Sequence, residues 1–485
     1  MSAGTAPSAK RRRLEHNRPL QQPQQSYERT IATGNSRNVY GNIYNGPVYY
    51  TGFPALGRET DDTQTAERLL EALNFDERED RLDTIGKAHE ETCQWLFQRD
   101  EYKTWRDPDK WHIHHGFFWI KGTPGSGKST LMKCAYNRGS EEFTDDVILC
   151  FFFNARGVKL QKSTEGMYRS LFCQLLEQMP HIAARLPRRK CERLQNPGWP
   201  IELLKDVLRE ALLLVDSARL TCYVDALDER QDEDPREMID FFDMLGSSAA
   251  AANVSVHILL SSRHYPRIHI SRCQQLILEH QSEHDSDIVR YIESKLQIGS
   301  SSTARDIKST LLRRASGVFL WVVLVVQILN EHKQRGLVHE LKQRLDEIPN
   351  DLDMLFVEIL QGSPSEISYT LSMLQLIAFA SRPLTREEVY HAVLYSDAQQ
   401  EVTSLVDFTL DDLEHFIVKC SKGLAEMTKG MCPTVQLIHE SVRNHLLDMG
   451  LKTAAPASCD NSPAWCHENL KDLCLGYLKN RRRAQ

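Results

Sequence analysis

A glycine-rich segment runs from Gly122 to Ser129 with the sequence Gly-Thr-Pro-Gly-Ser-Gly-Lys-Ser. It fits the pattern G-x-x-x-x-G-K-[ST], in which backbone N–H groups point at phosphate oxygens, the lysine reaches the β- and γ-phosphates, and the serine hydroxyl binds Mg²⁺. We therefore predict a site for a purine nucleoside triphosphate, with ATP/ADP and Mg²⁺ as the expected ligands. The residues predicted to contact the nucleotide here are Gly122, Thr123, Pro124, Gly125, Ser126, Gly127, Lys128, Ser129 and Thr130.

An acidic stretch supplies the second part of this chemistry. The apolar run Leu220-Thr-Cys-Tyr-Val ends in Asp225, and Asp228 and Glu229 follow closely. Asp225 can hold Mg²⁺ together with Ser129, while Asp228 or Glu229 can orient or deprotonate an attacking water. An acidic loop after an unrelated strand would look similar, but its place downstream of the glycine-rich segment favours the functional interpretation. We predict Ser129 and Asp225 as metal ligands, and Asp228 and Glu229 as catalytic residues.

Two further residues are candidates on weaker grounds. Arg263 ends the run Leu259-Leu-Ser-Ser and can lie beside a γ-phosphate, although a surface arginine that caps a strand fits the pattern equally well. His439 follows the apolar stretch Gln436-Leu-Ile and, taken alone, is typical of a packed or surface histidine. Their local sequence leaves both roles open.

Apolar periodicity predicts the elements that must position these residues. Between about residue 75 and residue 280, short apolar runs alternate with helical patterns, which is typical of a parallel sheet covered on both faces. We expect a doubly wound α/β domain that carries the glycine-rich loop between its first strand and the next helix. The predicted strands are 116–121, 147–153, 220–224, 254–260 and 275–278, and the predicted helices are 89–97, 129–136, 165–178, 201–214 and 235–245.

Strand patterns disappear after the sheet. Ser286 is predicted to cap a helix, and a second helix from Asp306 is expected to continue through 320–329. Helical patterns over 346–450, with a hairpin of 424–427 and 434–438, predict a winged-helix arrangement. The expected organisation is a nucleotide-binding domain over 65–280, a helical domain over 281–345, a winged-helix domain over 346–450 and a C-terminal helical segment over 451–485.

The first 60 residues have a different composition. Ser, Ala, Gln, Pro and Asn dominate up to Gln25, which predicts a disordered tail. Residues 34–50 combine Gly and Asn with Val, Ile and four tyrosines and are almost uncharged. This composition suits a short strand–turn–strand or one layer of a stacked cross-β assembly, and a linker of the same composition is an equal alternative.

Composition and charge limit the class of protein. With 41% hydrophobic and 26% charged residues, the 485-residue chain is typical of a globular protein. A net charge of −7 gives no general basic field, so we expect no nucleic-acid partner. The 12 cysteines form no CxxC pair, which is typical of reduced cysteines in an intracellular protein. The longest apolar run, 318–326, is too short for a membrane span, so we expect a cytoplasmic protein.

Eight sequence blocks in order resemble the NACHT family of STAND nucleotide-binding proteins, and in particular the fungal NLR-like receptors. The resemblance covers residues 65–450 and implies a P-loop NTPase fold. The blocks are Ala88-His89 with Trp95-Leu-Phe97, Trp119–Met132, Phe151–Gly157, Asp225–Glu229, Ser261–Arg263, Ala315–Val322, Arg382–Thr385 and Ile438–Val442.

The resemblance implies a switch between a closed ADP-bound form and an open ATP-bound form that forms homo-oligomers and exposes an N-terminal effector. It implies slow, regulatory ATP hydrolysis, with Arg263 as a sensor and His439 as the winged-helix histidine that touches the bound diphosphate. Residues 34–50 are similar to the amyloid-signalling motifs that template a fold on a downstream cell-death effector. Such receptors usually end in ankyrin, WD or tetratricopeptide repeats, whereas this sequence stops at Gln485, so its activating ligand stays open.

Two other functions compete with the switch at this point. A P-loop protein can be a turnover ATPase or a small-molecule kinase, but the acceptor pocket and arginine-rich lid of a kinase have no visible counterpart. An adaptor whose N-terminal segment does the work is the third possibility. ATP and GTP both satisfy the motif.

Overall fold

The computed structural model describes residues 59–450, with gaps at 197, 216–218, 231–234, 253, 265–269, 271, 337, 395–408 and 429–432, together with residues 471 and 475. The predicted tail, apart from its last two residues, lies outside the described residues, and so does the 34–50 segment. The C-terminal segment 451–485 also lies outside them, except that Lys471 and Leu475 are helical.

The described chain begins with helices that precede the sheet. They are α1 (Glu59–Leu73), α2 (Asp80–Thr84), α3 (Asp100–Arg106) and α4 (Trp111–His114). The α-helix predicted over 89–97 is wrong, because Cys93 adopts φ 67° and a 3₁₀ turn covers Gln94–Gln98. The backbone N–H of Cys93 and the indole of Trp95 both donate to Asp287 Oδ2, at 2.8 and 2.9 Å. This distant carboxylate holds the segment in a non-helical path.

A five-stranded parallel sheet forms the centre of the chain. Its strands follow the order β2-β3-β4-β1-β5, and every neighbouring pair is parallel. The parallel sheet predicted from the apolar runs is confirmed, with small shifts at the strand ends. The strands are β1 (Phe117–Lys121), β2 (Val147–Phe152), β3 (Leu220–Asp225), β4 (Val256–Ser262) and β5 (Gln274–Ile277).

Helices cover both faces of the sheet. Side chains alternate along a strand, so Phe117 and Trp119 enter the core with α1 and α6, whereas Phe118 and Ile120 enter the core with α3 and α5. Apolar burial on both faces accounts for the near-continuous apolar strands. The helices are α5 (Lys128–Glu142), α6 (Thr164–Gln178), α7 (Ile182–Arg185), α8 (Arg188–Leu194), α9 (Ile201–Leu213) and α10 (Pro235–Ala251).

Between the sheet and the last described unit lie the helices α11 (Ser282–Lys295), α12 (Ser302–Ala315), α13 (Phe319–Gln334) and α14 (Leu341–Glu347). Ser286 does not cap a helix, since it lies inside α11 and its hydroxyl donates to the carbonyl of Ser282 at 3.0 Å. The helix expected to continue from Asp306 through 320–329 is two helices. Ser316 and Gly317, with φ 46° and 76°, adopt left-handed conformations that end α12.

The last described elements form a unit that we call the C-terminal bundle, residues 352–450. Its small sheet has the order β6-β8-β7 with antiparallel pairs, which includes the predicted hairpin. A π-helical turn, Leu446–Gly450, ends it. Its elements are α15 (Leu352–Ile359), α16 (Pro364–Phe379), β6 (Leu384–Thr385), α17 (Arg386–Leu394), α18 (Leu410–Cys420), β7 (Ala425–Met427), β8 (Thr434–Leu437) and α19 (Glu440–His445).

The sheet topology determines where the candidate residues meet. Parallel strands end at one edge, so the loop after β1, Asp225 at the end of β3 and Arg263 after β4 share that edge. Within the described residues, no helix is long and apolar enough to cross a membrane. The eight cysteines in this part of the chain are free thiols.

Candidate functional site

A cavity of about 270 Å³ lies at the carboxyl edge of the sheet. Its wall combines the glycine-rich loop, the turns after β3 and β4, the start of α13 and the residue before α19. Ten of the predicted site residues line it: Pro124, Gly125, Gly127, Lys128, Ser129, Thr130, Asp228, Glu229, Arg263 and His439.

The loop needs glycine at two positions. Gly127 has φ 94° directly before α5, a conformation that side chains disfavour. Gly125 has φ 75°, and a Cβ there would lie 2.9 Å from the Cβ of Leu320. The backbone N–H of Leu320 donates to the carbonyl of Gly125 at 2.9 Å. The phosphate-binding loop is therefore packed directly against the start of α13.

Lys128 is the first residue of α5, and its ammonium lies over the loop. Nζ donates to the carbonyls of Gly122 at 2.9 Å and Thr123 at 2.8 Å. Burial lowers the pKa of the ammonium, and the carboxylates of Asp228 and Asp225 oppose that shift. A phosphate group placed in the cavity would meet this cation at the turn of the loop.

Three predicted contact residues, Gly122, Thr123 and Ser126, do not line the cavity. Gly122 is buried at the base of the loop, where its backbone N–H donates to the carbonyl of Ser262 at 3.3 Å. The hydroxyls of Thr123 and Ser126 are buried without a hydrogen-bond partner in the described part of the chain. These residues form the base of the loop.

Asp225 is the candidate metal ligand, and it lies buried beneath the cavity wall. Ser261 donates to its Oδ1, while Oδ2 is buried without a hydrogen-bond partner among the described residues. Burial raises the pKa of this carboxyl, although the hydroxyls of Ser129 and Ser261 lower it. A carboxylate beside a hydroxyl is an oxygen-donor set that fits Mg²⁺. The unpaired Oδ2 is consistent with that fit.

The two predicted catalytic acids have different environments. Ala226, with φ 58° in the left-handed region, turns the chain after β3 so that both acids reach the cavity. Asp228 accepts from the backbone N–H of Arg263 through Oδ1 and from Nε of Arg263 through Oδ2, both at 2.8 Å. Burial raises the pKa of Asp228, and Arg263 opposes this effect. Glu229 is held by a longer contact, its Oε2 accepting from the N–H of Ala155 at 3.3 Å.

His439 precedes α19 and reaches the cavity from the C-terminal bundle. Its Nδ1 accepts from the backbone N–H of Ser441 at 3.0 Å, so in the neutral ring Nε2 carries the proton. Burial, reinforced by Arg156 and Lys128, lowers the pKa of the ring well below its usual value. His439 is therefore a neutral hydrogen-bond donor at the cavity.

The cavity also contains residues that sequence motifs did not predict. Arg81 lies in a charged stretch that looks like an exposed helix start, and Phe319 and Leu320 look like ordinary core residues. The block Ala315–Val322 includes Phe319 and Leu320 without giving them a site role, and only the fold places α2 and α13 beside the loop. The residues missed are Arg81, Thr84, Ile85, Gly86, Ala226, Ser261, Phe319, Leu320, Val323, Glu426 and Ile438.

Two comparisons found proteins that this chain resembles. A family model described as Nephrocystin 3, N-terminal, matches residues 91–263, which contain the loop, Asp225 and Arg263. Vegetative incompatibility protein HET-E-1 of Podospora anserina is 24% identical over 371 residues, covering 73% of this chain. By these matches, the chain is similar to NACHT-type STAND NTPases. It spans about a quarter (26%) of that relative's length.

Two solved structures from Aeropyrum pernix also match this chain. The ORC2 protein in ADPNP–ADP complexes is 12% identical, covers 83% of this chain and 98% of its own, and has a TM-score of 0.32. The ORC1 protein in complex with DNA is 13% identical, covers 78% and 95%, and has a TM-score of 0.31. At these scores neither likeness carries an argument about function.

Proposed function

We propose that the chain is a nucleotide-dependent signalling switch that holds ATP or ADP with Mg²⁺ in the cavity. The observation that carries this proposal is the position of His439. It belongs to the C-terminal bundle, yet it lines the same cavity as Lys128 and Ser129 of the glycine-rich loop. We propose the nucleotide-binding domain at 65–280, the helical domain at 281–345 and the winged-helix domain at 346–450.

A ligand that contacts two parts of a chain stabilises the arrangement in which both contacts exist. Its effect on the equilibrium equals its difference in binding free energy between the two arrangements. A bound diphosphate that accepts a hydrogen bond from His439 Nε2 would favour the closed arrangement. A triphosphate that repositions Arg263 would make the closed arrangement less stable. The identity of the bound nucleotide would then select the state.

Different residues are proposed to bind the nucleotide and to assist its hydrolysis. Lys128 and the loop N–H groups would hold the phosphates, and Ser129 and Asp225 would hold Mg²⁺, which neutralises phosphate charge when bound. Arg263 would sense the terminal phosphate, and Glu229 or Asp228 would orient the attacking water. Hydrolysis then has a regulatory role, since it returns the switch to the diphosphate state.

Asp228 is paired with Arg263 at the cavity. Both of its oxygens are engaged by Arg263, so it is not free to accept a proton from water in this arrangement. The alternative function is a turnover ATPase or a small-molecule kinase. Rapid steady-state hydrolysis by the monomer would favour that alternative.

Opening is proposed to lead to homo-oligomers and to expose the N-terminal segment to an amyloid-templated effector in the cytoplasm. The name of the Podospora relative, a vegetative incompatibility protein, supports a role in fungal non-self recognition or cell death. The proposal includes no nucleic-acid partner. Arg263 and His439 act as nucleotide contacts in this scheme, as do the loop residues.

Lys128→Ala tests the site directly. The variant loses the cation that faces the phosphates, so we expect nucleotide affinity to fall by about a hundredfold or more. Calorimetry with ADP, ATP and GTP measures this loss, and mass spectrometry of the denatured protein identifies any nucleotide that copurifies. Lys103→Ala, at an exposed position of α3, is the control. Wild-type affinity in Lys128→Ala would refute the site.

A further inference from the structure

Three cationic side chains line the cavity, and two of them are engaged. Lys128 donates to the loop carbonyls, and Arg263 pairs with Asp228. The third, Arg81, has a different status. Its side chain makes no hydrogen bond or ion pair within the described residues, and its Nε is buried. Arg81 is partly exposed, but its buried Nε has no partner among the described residues, and a buried polar atom without a partner is unfavourable unless a ligand supplies one.

Side chains hydrogen-bonded to backbone carbonyls hold the segment that carries Arg81 against the helix after the glycine-rich loop. Lys133, on α5, donates to the carbonyls of Leu82 at 2.5 Å and Ile85 at 2.7 Å. The hydroxyl of Thr84 donates to the carbonyl of Arg81 at 3.0 Å. The short helix α2 is therefore attached to the same helix that begins at Lys128. Arg81 thus lies on a segment that is hydrogen-bonded to the helix that follows the loop.

Arg81 lines the same cavity as Lys128, Ser129 and His439. It lowers the pKa of the Asp225 carboxyl, of the His439 ring and of the buried Arg156 guanidinium. These directions agree with the position of Arg81 in the cavity wall. His439 and Asp225 are the proposed contacts of the diphosphate and of Mg²⁺. The phosphate chain is thus the part of a nucleotide nearest to Arg81.

We infer that Arg81 binds the phosphate chain of the nucleotide, as a second cation beside Lys128. This inference rests on the proposed function, because it assumes that the cavity holds a nucleotide. Guanidinium groups present a planar set of N–H donors that matches two phosphate oxygens, and such charge-assisted bonds are among the stronger ones. The bound phosphate supplies the partner that the folded chain does not.

The test compares Arg81→Gln with the control Arg68→Gln. Arg68 is exposed on α1, and its substitution removes the same charge. We expect Arg81→Gln to weaken ADP and ATP binding about tenfold or more, because a charge-assisted bond is lost. Arg68→Gln should bind as the wild type does. The salt dependence of the dissociation constant should also become shallower in Arg81→Gln alone, which a purely structural role would not cause.

The outcomes separate the two proposals. If the wild type binds nucleotide and folded Arg81→Gln binds equally well with the same salt dependence, the Arg81 inference is wrong and the proposed function stands. If the wild type binds no nucleotide, both are wrong. Thermal unfolding without nucleotide establishes folding. Should Arg81→Gln fail to fold, Arg81→Lys decides: a loss of about threefold or more supports the inference, and wild-type affinity overturns it.

Discussion

At the scale of single residues, the structure distinguishes two acids that the sequence leaves equivalent. Asp228 is engaged through both oxygens by Arg263, whereas Glu229 is held by one 3.3 Å contact to the N–H of Ala155. A general base needs an oxygen that can accept a proton from water. Glu229 is the better placed of the two, and Asp228 is better suited to orient Arg263.

Glu229→Gln should therefore slow hydrolysis more than Asp228→Asn. Loss of a general base typically costs about 10²–10⁴-fold, so we expect a drop of at least a hundredfold for Glu229→Gln, with ATP affinity within about threefold of the wild type. Single-turnover hydrolysis with excess protein measures this step. If Glu229→Gln hydrolyses ATP as fast as the wild type and Asp228→Asn does not hydrolyse it, the general base is Asp228.

The sequence predicted some site residues much better than others. Lys128, Ser129 and Asp225 lie at positions set by loop spacing or by the end of an apolar strand, so local sequence locates them. His439 and Arg81 come from distant segments, and nothing in their neighbourhood marks them. His439 was raised to a candidate by family resemblance, whereas Arg81 required the packing of α2 on α5.

At the scale of elements, the amino end of β4 carries a buried polar cluster away from the cavity. His257 and His114 are fully buried, with ring centroids 6.4 Å apart. Burial lowers the pKa of both rings, to about 4 for His114, and the positive charges of Arg106 and Arg219 add to the effect at His257. These histidines are neutral in the folded chain but bind protons near pH 6.5 when unfolded.

This difference predicts acid sensitivity with a definite sign. Because the folded pKa lies below the unfolded value, the stabilisation is complete above pH 6.5 and is lost as the pH falls toward 4. Between pH 7.5 and pH 5, His114 alone should cost about 2 kcal/mol of unfolding free energy.

His114→Asn removes this proton while keeping an acceptor for the N–H of Gly116, which donates to His114 Nδ1 at 3.0 Å. Urea unfolding of this variant should depend less on pH by about that amount. His415→Asn, at an exposed position of α18, is the control. Equal pH dependence in His114→Asn and the wild type would show that His114 is not the titrating group.

Strands were easier to predict than helix ends. β1 to β4 are buried on both faces, and their apolar runs are therefore continuous and readable. The break between α12 and α13 depends on two left-handed residues, Ser316 and Gly317, inside a continuous apolar pattern. Periodicity does not report a change of backbone conformation at one or two residues.

At the scale of the whole molecule, one apolar core joins the helices after the sheet to the C-terminal bundle. Val325 of α13 shares this core with Phe356 of α15 and Val442 of α19. The segment after β2 makes a polar contact with the C-terminal bundle. Arg156 in that segment donates to the carbonyl of Leu437, and Glu440, three residues further along, is buried. A shared apolar core favours movement of α13 and the bundle together, and polar contacts can separate at lower cost.

Such a movement would carry His439 and the start of α13 away from the loop together. His439 lines the cavity with its ring. At the start of α13, Leu320 lines the cavity, and its backbone N–H donates to the carbonyl of Gly125. His439→Ala should therefore weaken the closed state and favour oligomers at lower triphosphate concentration. His415→Ala on α18 is the matched control for changes in the bundle surface.

The central claim is that the bound nucleotide selects the assembly state, and the mass of the purified chain tests it most directly. Light scattering after size exclusion should give a monomer with ADP and a larger assembly with Mg²⁺ and a non-hydrolysable ATP analogue. Lys128→Ala should remain monomeric with both. An unchanged monomer in the wild type with the analogue demonstrably bound would contradict the account.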